Sequence, residues 1–151
     1  MQNVFDAKDA QEYINRINNL TPETQRKWGK MSVDQVLAHL NVAYDLTFTP
    51  EKFPKPSFIA KFLLSRFVKP KITNEIPYKQ SLPTSPAFII ADERNIEEEK
   101  AKLIGNIQRV QQLGREAFEG KENINFGKMT AQCWNNMFAK HLNHHLDQFG
   151  V

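Results

Sequence analysis

The chain has 151 residues, 40% of them hydrophobic and 25% charged, with a net charge of +3. That length suits a single domain spanning 1–151 with a sizeable core, and the balance is that of an ordinary soluble protein. A lone cysteine, Cys133, excludes an internal disulfide. Met1-Gln2-Asn3-Val4-Phe5-Asp6 lacks the basic and apolar regions of a signal peptide, and no stretch approaches the roughly 20 apolar residues of a membrane span. The expected address is cytoplasmic.

In chain order, Asp6 caps a first helix whose buried edge is Tyr13, Ile14, Ile17 and Leu20. Thr21-Pro22-Glu23 marks one short turn, and Trp28-Gly29-Lys30 interrupts the pattern. A second helix starts at Ser32, where Ser32 and Gln35 form a capping box and Met31 and Val36 a hydrophobic staple. It runs to about Thr47. Asp34, Ala38, Asn41 and Asp45 make its polar strip, and His39 projects within the apolar arc opposite.

Residues 48–91 hold Pro50, Pro54, Pro56, Pro70, Pro77, Pro83 and Pro86, a density that forbids one continuous helix. Ser57 to Val68 nevertheless reads as a short, very apolar helix flanked by Lys61, Arg66, Lys69 and Lys71. Such a helix can lie on a membrane or hold a partner. Covering an open edge of the core is the commoner fate of an apolar face and is the role expected of this one. Ala87-Phe88-Ile89-Ile90 reads as a short strand or a buried connector.

Asp92 opens a long helix to about Gly114, with an inner seam of Ile96, Leu103, Ile107 and Val110. Glu97, Glu98 and Glu99 suit its N-terminal dipole. Glu119-Gly120-Lys121-Glu122-Asn123 reads as a polar linker. Thr130 caps the last helix, and Met129 staples onto Trp134. Four principal helices, each with a one-sided apolar stripe, make an all-α four-helix bundle the natural packing. The connection of about forty residues between the second and third is too long for a hairpin and suits a crossover.

The last helix carries three of the four histidines. Trp134, Met137, Phe138, His141, Leu142, His145, Leu146 and Phe149 recur with helical period, which puts His141 and His145 near the centre of an inward stripe. Their Cβ atoms lie roughly 5–6 Å apart, within reach of one metal ion. With His39 they are the one inward-facing titratable cluster, and three imidazoles around a divalent ion leave a position open for water or substrate. Imidazole suits zinc, nickel, iron and copper alike. His-Glu-x-x-His and Glu-x-x-His motifs are both missing. Cys133 reads as a packing residue. The aromatics sit on apolar faces, which argues against nucleic acid. His144 and Gln148 fall beside the cluster, where they can orient a ligand ring or a bound water.

Trp28-Gly29-Lys30-Met31-Ser32, then Leu37-Ala38-His39-Leu40, then Phe126-Gly127-Lys128-Met129-Thr130, then Lys140 through Gly150 resemble the DinB-like superfamily. The DNA-damage-inducible proteins are meant, not the polymerase of that name. The closer likeness is to a bacterial subfamily built on a domain of unknown function. The resemblance implies a bundle of up-down-down-up topology. It also implies a divalent metal held by His39, His141 and His145; the ion expected is zinc or nickel first and iron or manganese next. Its members include thiol-dependent transferases and isomerases and metal-dependent hydrolases, often homodimers. The expected function is therefore a metal-dependent thiol S-transferase or hydrolase acting on a small molecule. The alternative is a non-catalytic metal- or ligand-binding bundle with a stress-related or structural role. The expected partner is a small-molecule or thiol substrate, with no nucleic acid and no membrane.

Overall fold

The Asp6 carboxylate accepts hydrogen bonds from the amides of Lys8 and Asp9, and the first helix follows at once. In the computed structural model, which describes residues 1–151, the chain is mostly helical. The long helices are α1 (Ala7–Asn18), α2 (Val33–Phe48), α5 (Ile96–Leu113) and α6 (Ala131–Phe149). Between α2 and α5 lie α3 (Phe58–Leu63), a π-helical turn at Leu64–Val68, and α4 (Lys69–Thr73). The start signals hold where they are local. Gln35 Oε1 accepts the Ser32 amide at 3.2 Å, and Thr130 Oγ1 accepts the Cys133 amide at 3.2 Å.

α2 packs against α5 and α6, α1 against the same two, and α4 against α6. Twenty-five buried apolar residues form one core cluster. Its centre is aromatic: Tyr44 stacks flat on Phe138 at 4.7 Å between centroids, and Trp134 stacks on the same ring at 5.7 Å. Tyr13, Ile14, Ile17 and Leu20 are buried, as are Leu103, Ile107 and Val110, so the helical seams read from the sequence face inward. Cys133 packs against this cluster from its edge.

Five expectations need correction. The long helix begins at Ile96, not Asp92, because Asn95 takes the capping role: its side-chain oxygen accepts from the amides of Glu97 and Glu98. Asn41 does not face water, because α5 covers the polar strip of α2. Its amide donates to the Glu99 carbonyl and carboxylate at 3.0 and 2.7 Å and accepts from Asn106 at 3.1 Å, which satisfies the side chain where it is buried. The apolar helix does not stop at Val68. Pro70 cannot donate to the carbonyl four residues before it, and the wide π turn absorbs that defect so that the helix resumes through Thr73. The polar linker ends in a small hairpin, β1 (Glu122–Asn123) with β2 (Gly127–Lys128). The Asn123 side chain accepts from the amides of Asn125 and Phe126 and tightens its turn. The segment Ala87–Ile90 is no strand, since Pro86–Phe88 forms a single 3₁₀ turn.

Lys140 closes the end of α4. It is 4% exposed, and its Nζ donates to the Lys71 carbonyl at 2.6 Å and the Asn74 side chain at 2.7 Å. No carboxylate pairs with it. The cation sits instead at the negative end of a helix dipole, on carbonyls that would otherwise lack donors. Lys140→Met should therefore destabilise the fold by about 1–3 kcal/mol and speed amide exchange at 69–74. Unchanged exchange there would show that Lys140 is not the fastening.

Candidate metal centre

α2 carries His39 into the core on its buried arc, and α6 presents His141 and His145 one turn apart on the facing side. The three rings form a near-equilateral triangle, with centroid separations of 4.9 Å for His39–His141, 4.6 Å for His39–His145 and 5.0 Å for His141–His145. One ring nitrogen from each falls within 4.8 Å of the others. His39 and His145 are buried, and His141 is partly exposed at the rim.

Hydrogen bonds fix which nitrogens carry protons. The Phe88 carbonyl lies 2.8 Å from His39 Nδ1 and can only accept, so Nδ1 holds the proton and the neutral ring's Nε2 lone pair is free. His141 Nε2 lies 2.9 Å from that lone pair and donates to it. On the other side, His145 Nδ1 and Gln148 Oε1 are 2.8 Å apart. Gln148 Nε2 in turn donates to the Trp28 carbonyl at 2.8 Å. A carbonyl takes only a donor, so the Gln148 amide is oriented and His145 keeps its proton on Nδ1. Its Nε2 makes no hydrogen bond and is not sealed from solvent.

Gly29 makes this arrangement possible. Its φ is +79°, and a Cβ at this position would overlap Gln148 Nε2. A glycine admits both the left-handed backbone and the close approach.

The donor set fits a divalent ion. Imidazole nitrogens at about 2.0–2.1 Å from a tetrahedral metal lie about 3.3 Å from one another. The observed set brackets that figure, with its shortest separation at 2.9 Å and all within 4.8 Å. Closing on an ion needs side-chain shifts on the order of 1 Å. His39 and His145 are already in the Nε2-binding tautomer, held by partners of the kind that orient metal-ligating rings. His141 must surrender its Nε2 proton on loading.

Burial keeps all four imidazoles neutral. It lowers His145 to about 3, helped by His39 nearby. It lowers His141 well below the usual value, with His145 and His39 adding to the effect. His39 is lowered by burial, partly offset by its bond to Phe88.

His144 points away from the triangle. Its ring packs on His145 at 4.9 Å, Trp28 at 5.9 Å and Tyr78 at 5.6 Å. Together with Trp28, Tyr78, Lys140 and Asn143 it lines a cleft of about 340 Å³ that the three converging histidines do not reach. His144 is thus the partition between cleft and triangle. Phe88, Trp28, Gly29 and Tyr78 escaped the sequence reading, because backbone carbonyls and loop contacts leave no periodic trace. The available signal was Trp28-Gly29-Lys30, which interrupts the helical pattern and opens the DinB-like motif.

The chain belongs to the family described as "Protein of unknown function (DUF1569)", whose model matches residues 2–150. Comparison with curated proteins and with solved structures gives no match.

Two outcomes follow from the geometry. The unfolded chain protonates its histidines near pH 6.5 while the folded chain resists. Stability of the metal-free protein is therefore full above pH 6.5 and falls below it, by up to about 1.4 kcal/mol per pH unit for each ring that stays neutral. Urea titrations between pH 7.5 and 4.5 measure this, and a flat profile would contradict the burial of these rings. Gly29→Ala should destabilise the protein by about 1–3 kcal/mol and shift the Gln148 and His145 side-chain NMR signals together.

Proposed function

We propose that this member of the DUF1569 family is a metal-dependent enzyme of the DinB-like kind, a four-helix bundle of up-down-down-up topology. In this reading His39, His141 and His145 hold one divalent ion, zinc or nickel before iron or manganese. The observation that carries it is the convergence of three imidazoles from two helices, one ring nitrogen of each within 4.8 Å of the others, with Nδ1 of His39 and of His145 committed to an acceptor so that Nε2 is the atom left with a lone pair. A plain core would not need three polar rings from two helices gathered within ligand distance of one another.

A bound ion would lower the pKa of water or a thiol taken up at the open position. The chain supplies the rest. Gln148 holds His145 in place through Trp28, and Phe88 holds His39 and packs on His141 at 5.8 Å, narrowing access. The adjoining cleft, with the Trp28 and Tyr78 rings on either side of His144, is a place for the body of a small molecule. No carboxylate joins the three histidines, so no built-in general base stands beside them as it does in His-Glu-x-x-His sites. A thiol substrate, acidic enough to ionise without such a base, fits this better than a peptide bond. The reaction class supported is thiol S-transfer, with hydrolysis second.

Elemental analysis of protein purified without an affinity tag should find about one divalent ion per chain. His39→Ala and His145→Ala should abolish it with helical content retained, while Gln148→Ala should weaken affinity about 10–100-fold. Low-molecular-weight thiols offered with electrophiles should be turned over, and chelator should stop the reaction. Metal binding without turnover of any such pair would favour the non-catalytic bundle. An absence of metal from a folded wild-type chain would return the three histidines to the core.

A further inference from the structure

The helical segment from Phe58 to Thr73 is apolar on two opposite sides, and the fold uses only one of them. Leu64, Val68 and Ile72 pack against the core, which is the covering role expected from the sequence. On the outer side Phe58 is 86% exposed, Ile59 70%, Phe62 60%, Leu63 47% and Phe67 58%. The core takes up only the inner side, and an exposed apolar surface of this size marks a binding face.

The charge around that face is one-sided. Residues 52–74 contain Lys52, Lys55, Lys61, Arg66, Lys69 and Lys71 and no acid, with Glu51 and Glu75 just outside. Lys61 is paired, to Glu122 of the hairpin at 2.7 Å, and Lys69 donates to the Lys128 carbonyl at 2.8 Å. Lys52, Lys55, Arg66 and Lys71 are exposed and form no ion pair. Arg66 rises from the apolar face itself, its guanidinium 5.6 Å from the centre of the Phe67 ring. Cations therefore stand at both ends of the apolar strip and in its middle.

These features choose among occupants. A second copy meeting this face across a two-fold axis would set the patch against itself, cation against cation. The occupant must bring negative charge and an apolar interior together. An anionic bilayer does both: the aromatic and aliphatic side chains enter the acyl boundary, and the lysines and Arg66 reach back to the headgroups. No helix is long and apolar enough to cross a membrane, so the contact is peripheral, with the helix lying flat. We propose that the outer face of Phe58–Thr73 is a docking surface for anionic phospholipid membrane. This departs from the expectation of no membrane partner, which assumed that the core would use up the helix's apolar surface.

The test is sedimentation of the full chain with large unilamellar vesicles of phosphatidylcholine, alone or with about 30 mol% phosphatidylglycerol. Binding should be about tenfold stronger to the mixed vesicles and should weaken sharply at high salt. Phe62→Glu/Leu63→Glu should abolish it, and Lys55→Glu/Arg66→Glu should weaken it about tenfold or more. Circular dichroism and the thermal midpoint report whether each variant is folded. Should the double glutamate variant unfold, Phe62→Ser/Phe67→Ser takes its place. Binding that salt removes but the apolar substitutions leave intact is adsorption by net charge and overturns the proposal. So does absence of binding to both vesicles, including the case where light scattering shows a dimer that those substitutions dissociate, or where an acidic protein proves to cover the face.

Discussion

The last helix is buried on nearly every side, and each polar group it carries inward has to find a partner. Asn135, Asn136, Lys140, His145 and Gln148 are all below 8% exposure. An unpaired buried polar group costs on the order of 1–3 kcal/mol, so these residues dictate where other segments run. Asn135 accepts the Val4 amide and donates to the Gln2 carbonyl, which fixes the N-terminus. Asn136 and Lys140 take the carbonyls at the end of α4. Gln148 takes the loop at Trp28. The irregular parts of the chain are thus seated on the polar groups of one helix, while the apolar seams of α1, α2 and α5 seat the rest.

This division explains what the sequence could and could not reveal. Caps such as Asp6 and Thr130, and seams such as Leu103-Ile107-Val110, depend on neighbours within one or two turns, so composition and period expose them. The meeting of His39 with His141 and His145 was legible for the same reason: all three lie on strongly periodic faces. Asn41 misled because its partners, Glu99 and Asn106, come from a helix far along the chain, and nothing local distinguishes a solvated asparagine from a paired one. The hairpin at 122–128 has strands of two residues, too short to display alternation. Pro70 marks a helix end by every local rule, and only the π turn, paid for by the packing of Val68 and Ile72, carries the helix past it.

The buried imidazoles are a cost that packing alone does not recover. His39 and His145 each commit Nδ1 to a carbonyl oxygen, of Phe88 and Gln148, while His39 Nε2 has only the third imidazole as partner and His145 Nε2 has none. An apolar side chain at either place would satisfy the core with no such partner needed. The arrangement has the character of a site held ready, in which local stability is given up for a fixed set of lone pairs. The same trade appears at Gly29, where a conformationally free residue is kept in the left-handed region so that Gln148 can approach.

The two surfaces with unmet demands are joined through a short path. Lys71, Thr73 and Asn74 at the end of the apolar helix are held by Asn136 and Lys140, and Lys140 is adjacent in sequence to His141. Tyr78, a few residues further, lies under the Lys140 ammonium at 4.4 Å and packs on His144. A displacement of the helix that moved its C-terminal carbonyls would strip Lys140 of its acceptors while burial still disfavours the bare charge. The same hydrogen bonds thus fasten the end of the apolar helix to the part of α6 that bears Lys140, next to His141.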